Sequence, residues 1–191
     1  MIIVVWQSLT IIRLFGDNWS PRFYASTSVG AFFICGVAVM IVTFCGHSQF
    51  IKTPQIEENL MRLLHERVGD NPAQFLLGGY GGFDLFSYQC CKQYQKAHPK
   101  TKLILVTPYI TPEYQKNHLE FEKERYDEIV YPEIENKPKR FAILYRNQWM
   151  VDAADLVIAY VQYPYGGAYQ TYRYAQKKEK TPVNLCNDPI L

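Results

Sequence analysis

The sequence has no strong excess of charge of either sign. Its 191 residues include 20 lysines and arginines and 18 aspartates and glutamates, which leaves a formal net charge of +2 at pH 7. General nucleic-acid binding depends on a large basic field that attracts the phosphate backbone. We therefore expect no nucleic acid among the partners of this protein.

Cysteine and histidine are few, with five and four residues respectively, and they are scattered along the chain. None of their spacings is typical of a metal site, so we predict no metal. An odd, scattered set of cysteines is typical of reduced thiols in a cytoplasmic protein and not of a disulfide framework. The cysteines are Cys35, Cys45, Cys90, Cys91 and Cys186.

Long hydrophobic runs are also scarce. The longest, residues 29–45, contains about 17 residues, the lower limit for a helix that spans a membrane. Its second half, Met40–Cys45, is typical of a buried first strand, which shortens any span further. We interpret residues 1–39 as an extension outside the folded core and residues 40–191 as one domain. A membrane anchor within residues 1–39 is the alternative, and no other membrane contact is expected.

From Met40 onward, short apolar strands alternate with helical patterns. Thr53-Pro54 is a typical helix start and Gly69 a typical stop. Thr111-Pro112 repeats the start signal for a charged stretch that we predict to be helical through Arg125. Strands buried on both faces and joined by helices indicate an α/β fold, with a doubly wound, mainly parallel sheet of about six strands and helices on both faces.

Two glycine-rich turns each follow an apolar strand and open a helix. The first is Gly78–Asp84, and the second is Tyr165–Ala168. Glycine lets the backbone approach a ligand, and free N–H groups at a helix start attract anions. Open α/β sheets bind ligands at the carboxyl ends of their strands. The pattern predicts a shared crevice for a phosphorylated small molecule.

The first turn lacks the lysine and the serine or threonine of a P-loop, so a nucleoside triphosphatase is not supported. It also follows the second strand, with a spacing that differs from a dinucleotide-binding fingerprint. The alternative interpretation is a tight strand-to-helix turn in which Asp84 caps the helix or points away.

His47 and Arg146 are the side chains that could carry chemistry beside the turns. His47 follows the first strand and could donate to a phosphate or act as an acid or base, or it could be a hydrogen-bonded structural residue. Arg146 could bind a phosphate with two hydrogen bonds, or it could lie on a helix surface paired with Asp152.

Tyrosines are concentrated near the second turn. They could stack on a base or a sugar, or they could form a subunit interface. We favour ligand contact for Tyr163 and Tyr165, in the loop, and an interface for those on the helix that follows. The six tyrosines are Tyr160, Tyr163, Tyr165, Tyr169, Tyr172 and Tyr174.

The ordered set of strand, Gly46-His47, first glycine turn, Arg146-Asn147-x-x-Met150, apolar strand and second glycine turn resembles the SLOG superfamily. That superfamily groups Rossmann-like domains related to the DNA-processing protein Smf/DprA and to the "lonely guy" phosphoribohydrolases. The chain is most similar to its small bacterial members of unknown function, the YpsA-like group. The resemblance covers residues 40–186.

This resemblance implies a Rossmann-like fold and a nucleotide-derived ligand between the two turns, with no other cofactor. We also expect the protein to form homo-oligomers. Together with the turn residues themselves, the resemblance predicts a ligand site made of Gly46, His47, Gly78, Gly79, Gly81, Gly82, Asp84, Arg146, Asn147, Gly166, Gly167 and Thr171.

The chain departs from the phosphoribohydrolases after the second turn. Those enzymes place a glutamate shortly after their glycines, whereas here no carboxylate follows Gly167 before Glu179. A carboxylate stabilises the positive charge that develops on the ribose. The leading hypothesis is therefore a nucleotide-binding sensor or accessory protein. The alternatives are a nucleotide N-glycosidase that uses Asp84 or His47, and an oligomerising interaction module with a vestigial crevice.

Overall fold

The computed structural model describes residues 11–13, 32–34, 37–109 and 111–186. The strands are β1 (Ile11–Arg13), β2 (Phe32–Ile34), β3 (Val37–Gly46), β4 (Ala73–Leu77), β5 (Thr101–Val106), β6 (Glu128–Pro132), β7 (Leu156–Tyr160) and β8 (Val183–Asn184). The α-helices are α1 (Pro54–Arg67), α2 (Gly82–Ala97), α3 (Pro112–Tyr114), α4 (Glu120–Glu122), α5 (Ala142–Ala153) and α6 (Gly166–Lys177). A π-helical turn, Gln115–Leu119, joins α3 to α4, and a 3₁₀ turn, Lys139–Phe141, precedes α5.

Six strands form a parallel sheet in the order β6-β5-β4-β3-β7-β8. Two short strands pair antiparallel with it, β1 with β6 and β2 with β3. The strand order reverses between β3 and β7, which is the topological switch point of a doubly wound sheet.

The sheet is covered on both faces because its strands are apolar on both faces. On β3, Val42 and Phe44 join a core with α1 and α2, whereas Ile41 and Cys45 join a second core with α5 and α6. Central parallel strands are buried in this way when helices cover both sides. The predicted fold class is confirmed.

Local signals set the ends of α1. The Ile56 N–H donates to the Thr53 hydroxyl oxygen at 3.3 Å, Pro54 is the first helical residue, and Gly69 has a φ of +57° just past the end. The prediction of helix from Thr111 through Arg125 is wrong in part, since α3, the π turn and α4 end at Glu122. Tyr114 and Leu119 both pack on the α1–α2 core. On a regular α-helix, side chains five residues apart point in directions that differ by about 140°. The wider π turn brings Tyr114 and Leu119 to the same side of the helix, so both can reach this core.

The first parallel strand begins at Val37, three residues before the predicted start at Met40. Its pairing with β4 begins at Met40, whereas Val37 to Val39 pair only with β2. The boundary at residue 40 stays a prediction, and most of residues 1–39 lies outside the described part of the chain. Among the described residues, no helix has the length and apolarity needed to cross a membrane.

Candidate functional site

Loops that follow β3, β4 and β7 meet at the carboxyl edge of the sheet. The segment Gly46–Phe50, which we call the bridge loop, contacts the first glycine turn and the segment that leads into the second. The Gly82 N–H donates to the Ser48 carbonyl oxygen at 2.8 Å, and the Tyr163 N–H donates to His47 Nε2 at 3.2 Å. Both turns therefore lie at the same edge, on either side of the bridge loop.

The first turn is packed against the bridge loop. A Cβ on Gly81 would lie 2.8 Å from the Ser48 Cα, and one on Gly82 would lie 2.8 Å from the Ser48 carbonyl oxygen. Gly79 and Gly81 also have φ values of +74° and +93°. These glycines are needed for close packing as well as for the shape of the turn.

Aromatic side chains fill the space below the bridge loop. The Phe50 ring packs against Phe83, Phe86 and Tyr160, with centroid distances of 5.4, 4.9 and 4.9 Å. A Cβ on Gly46 would overlap the Phe83 ring, so glycine there lets α2 approach the end of β3. The space between the end of β3 and α2 is therefore occupied by protein.

The Asp84 carboxylate binds one of the backbone N–H groups of the first turn. Its Oδ2 accepts a hydrogen bond from the Tyr80 N–H at 2.9 Å. Burial raises the pKa of the Asp84 carboxyl to about 6, while the nearby Arg146 guanidinium and the Tyr80 N–H act in the opposite direction. Among the described residues, none accepts a hydrogen bond from the N–H groups of Gly79 and Gly81.

Arg146 is the largest fully buried side chain and is 1% exposed. One terminal nitrogen donates to the carbonyl oxygens of Gly78 and Val106 at 2.6 and 2.7 Å, which joins the ends of β4 and β5. It does not lie on the helix surface with Asp152, whose carboxylate instead contacts Tyr174 and Lys178.

Gly78 separates the two charged groups of the first turn. A Cβ there would lie 2.7 Å from Asp84 Oδ2 and 2.8 Å from an Arg146 nitrogen. Burial lowers the pKa of Arg146, and Asp84 partly offsets this. Arg146 Nε has no hydrogen-bond partner among the described residues, and the guanidinium carbon lies 5.6 Å from the centroid of the Tyr80 ring.

The second turn is open. Gly166 and Gly167 are exposed, and a Cβ on either would meet no atom within 4 Å. Helix α6 begins there with no acidic residue in its first turn and no side-chain cap. None of the described residues accepts a hydrogen bond from the Gly166 and Gly167 N–H groups. A helix start of this kind can bind an anion.

Asn147 and Thr171 support the second turn from behind. The Asn147 side-chain amide donates to the Thr171 hydroxyl oxygen at 3.2 Å, and that hydroxyl donates to the Gly167 carbonyl oxygen at 2.9 Å. Thr171 is buried, at 3% exposure. The structure therefore connects both residues to the turn's backbone.

Tyrosines surround the open part of the edge. Tyr163 and Tyr165 are 48% and 66% exposed, and their rings stack with centroids 5.5 Å apart. The helix tyrosines Tyr169, Tyr172 and Tyr174 instead pack, half-buried, against the α5–α6 core.

The sequence reasoning missed Ser48 and Tyr80. Tyr80 is 42% exposed, and its hydroxyl lies 2.9 Å from that of Tyr114. Its position between Gly79 and Gly81 is a signal visible in the sequence, whereas Ser48 shows no pattern that indicates its packing against the first turn.

The fold has counterparts among solved structures. DNA processing protein A from Helicobacter pylori is 24% identical with a TM-score of 0.51, and the match covers 75% of this chain and 63% of that one. DNA processing protein A from Streptococcus pneumoniae is 16% identical with a TM-score of 0.53, and the match covers 75% and 49%. The chain thus spans less than two thirds of either structure, and the likeness shows a shared Rossmann-like fold. No family model and no curated protein matches the sequence.

These structures correct the expectation that nucleic acid is not a partner. The H. pylori protein is described by its single-stranded DNA binding mode. The expectation, which rested on net charge, is wrong because net charge averages the whole surface. Single strands can be bound through local stacking and a few phosphate contacts.

Proposed function

We propose that this protein binds a nucleotide or nucleotide-derived molecule and places a phosphate on the second glycine turn. The observation that carries this proposal is the open backbone at Gly166 and Gly167, with free N–H groups at the start of a 12-residue helix. This start lies beside the switch point, where doubly wound sheets bind ligands.

The two turns differ in charge, which supports one orientation of the ligand. Asp84 places a carboxylate at the first turn and occupies the Tyr80 N–H. An ionised carboxylate repels phosphate but accepts hydrogen bonds from hydroxyl or amino groups. The ligand's phosphate therefore belongs at the second turn, and a ribose hydroxyl or a base N–H belongs nearer Asp84.

Stacking on tyrosine supports a nucleotide over a simple anion. Tyr163 and Tyr165 are exposed, and they lie three residues and one residue before Gly166. Aromatic side chains stack on bases with little sequence preference and contribute about 1–3 kcal/mol per base. The resemblance to the SLOG superfamily, its YpsA-like group included, agrees with a nucleotide-derived ligand.

Single-stranded DNA is the second candidate ligand, favoured by the described binding mode of the H. pylori protein. Such a strand also presents phosphate groups and bases, with its phosphates as diesters. A strand has several phosphates, so its affinity falls steeply with salt, whereas a single nucleotide shows a shallow dependence.

The enzymatic alternative would use Asp84 or His47 as the acid or base. A carboxyl with a pKa of about 6 can donate and accept protons near neutral pH. Release of free base from nucleoside monophosphates that is lost in Asp84→Asn would favour this alternative.

Calorimetry on the full chain tests the proposal with AMP, GMP, ADP-ribose and a short oligothymidine as probes. Gly167→Leu adds a side chain in open space, so we expect folding to be kept and affinity to fall on the order of tenfold or more. Gln176→Leu, at the exposed far end of α6, is the matched control and leaves affinity unchanged. Binding of none of the probes, or equal affinity in both variants, would overturn the proposal.

A further inference from the structure

His47 directly follows β3 and is hydrogen-bonded to the neighbouring strand β7, at the switch point of the sheet. Its backbone N–H donates to the Tyr160 carbonyl oxygen on β7 at 3.3 Å. Its ring nitrogen Nε2 lies 3.2 Å from the Tyr163 backbone nitrogen. A backbone N–H can only donate, so Nε2 must be the acceptor, and the neutral imidazole carries its proton on Nδ1.

This hydrogen bond holds the segment that leads into the second turn. All four residues of the segment Gln162–Tyr165 are exposed. Within the described part of the chain, the bond from Tyr163 to His47 is the hydrogen bond that ties this segment to the domain. The two rings also pack against each other, with centroids 5.3 Å apart.

We propose that His47 is a positioning residue whose neutral imidazole holds the segment Gln162–Tyr165, which leads into the second glycine turn, and whose protonation releases this segment. In the protonated ring both nitrogens carry hydrogen, so Nε2–H would face the Tyr163 N–H and two donors would oppose each other. The effect on ligand affinity rests on the proposed function, whereas the effect on the segment does not.

The electrostatic surroundings agree with this assignment. Half-burial lowers the pKa of His47, and among the described residues no charged side chain contributes to the shift. The titratable group in contact with the ring is the Tyr163 phenol. The pKa of His47 is lowered while its ring accepts the Tyr163 hydrogen bond. This bond is therefore fully favoured at pH values above the ordinary pKa of histidine, and it is lost as pH falls through the lowered pKa.

Three variants separate the effect of the His47–Tyr163 hydrogen bond from other effects. His47→Gln keeps a side chain that can accept a hydrogen bond but does not titrate, and His47→Phe keeps a ring with no acceptor. His65→Gln, on the exposed last turn of α1, is the matched control.

The first measurement needs no ligand. The ¹⁵N–¹H resonance of Tyr163 is followed from about pH 8 to about pH 5 together with the ring resonances of His47. We expect both to titrate with one midpoint in the natural protein and in His65→Gln, and the Tyr163 resonance to be constant in His47→Gln. A Tyr163 resonance that does not follow His47, or that titrates in His47→Gln, overturns the proposal.

The second measurement uses ADP-ribose, which has no ionisation in this pH range. Affinity is expected to fall at least about fivefold on acidification in the natural protein, to change little in His47→Gln, and to be weak at every pH in His47→Phe. Protonation of Asp84 in this pH range removes a carboxylate acceptor as well as a negative charge that repels phosphate, and it occurs equally in His47→Gln, so the difference between the two proteins measures the contribution of His47. If ADP-ribose does not bind at all, that probe gives no support to the proposed function, while the Tyr163 titration still decides the role of His47.

Discussion

At the residue scale, Asp84 shows how burial and charge compete within one turn. Its carboxyl has a pKa of about 6 in the folded protein, against an ordinary value of 3.8. A carboxyl whose pKa is raised on folding stabilises the protein below the ordinary value, and this contribution is lost as pH rises through the raised one. At neutral pH the ionised Asp84 therefore costs stability.

Asp84→Asn is expected to raise the free energy of unfolding at about pH 8 by about 1–2 kcal/mol, and to leave it nearly unchanged at about pH 4. Asparagine keeps an oxygen that can accept from the Tyr80 N–H, so the hydrogen bond is retained. Urea unfolding at the two pH values measures the effect.

Glu58→Gln is the control for this substitution, since Glu58 is exposed on α1 and should show no pH-dependent gain. A less stable Asp84→Asn at about pH 8 would contradict the prediction. It would mean that the Arg146 guanidinium and the Tyr80 N–H together stabilise the charged carboxylate by more than its burial costs.

Arg146 illustrates what sequence alone could not predict. Its spacing from Asn147 and Met150 predicts a candidate position, with a ligand contact or a surface ion pair as the alternatives. The structure shows a buried guanidinium that donates to the carbonyl oxygens of Gly78 and Val106. Those acceptors are 68 and 40 residues away in sequence, so no local pattern could have indicated them.

At the element scale, the two glycine turns have the same local signature but different surroundings. Gly82 is pressed against the bridge loop, whereas Gly167 faces open space. Gly82→Ala would place its Cβ 2.8 Å from the Ser48 carbonyl oxygen and force the loop to move.

We expect Gly82→Ala to cost about 1–3 kcal/mol of stability and Gly167→Ala to change it by no more than about 0.5 kcal/mol. Thermal unfolding of the two variants, which carry the same chemical change, provides the comparison. Equal losses in both would show that the second turn is packed against something, and would remove the open backbone on which the proposed function depends.

Helix ends were predictable where a local signal sets them. Thr53, Pro54 and Gly69 mark α1 in sequence because their side chains or φ angles act within a few residues. The π turn after α3 was not predictable in this way. It depends on Tyr114 and Leu119 reaching the same core, and that core is formed by residues far away in sequence.

At the scale of the whole molecule, the alternation of apolar strands and helices was sufficient to predict the doubly wound sheet. Burial on both faces of β3 follows from a strand that is apolar at nearly every position. Net charge, by contrast, was a poor guide to partners, because it sums over the whole surface and carries no information about how charged and aromatic side chains are grouped on it.

The placement of the domain boundary at residue 40 leads to a prediction about the whole molecule. Pairing of β3 with β4 begins at Met40 and pairing with β7 begins at Val42, so a fragment of residues 40–191 keeps every parallel pair. It loses the antiparallel pairs of β1 with β6 and of β2 with β3. Because the described residues of the two cores that cover the sheet all lie from Met40 onward, we expect the fragment to unfold cooperatively and to keep the Tyr163 resonance of the full chain. An insoluble fragment, or one without a cooperative transition, would show that residues 1–39 belong to the folded core, by covering the exposed edge of β6 or otherwise.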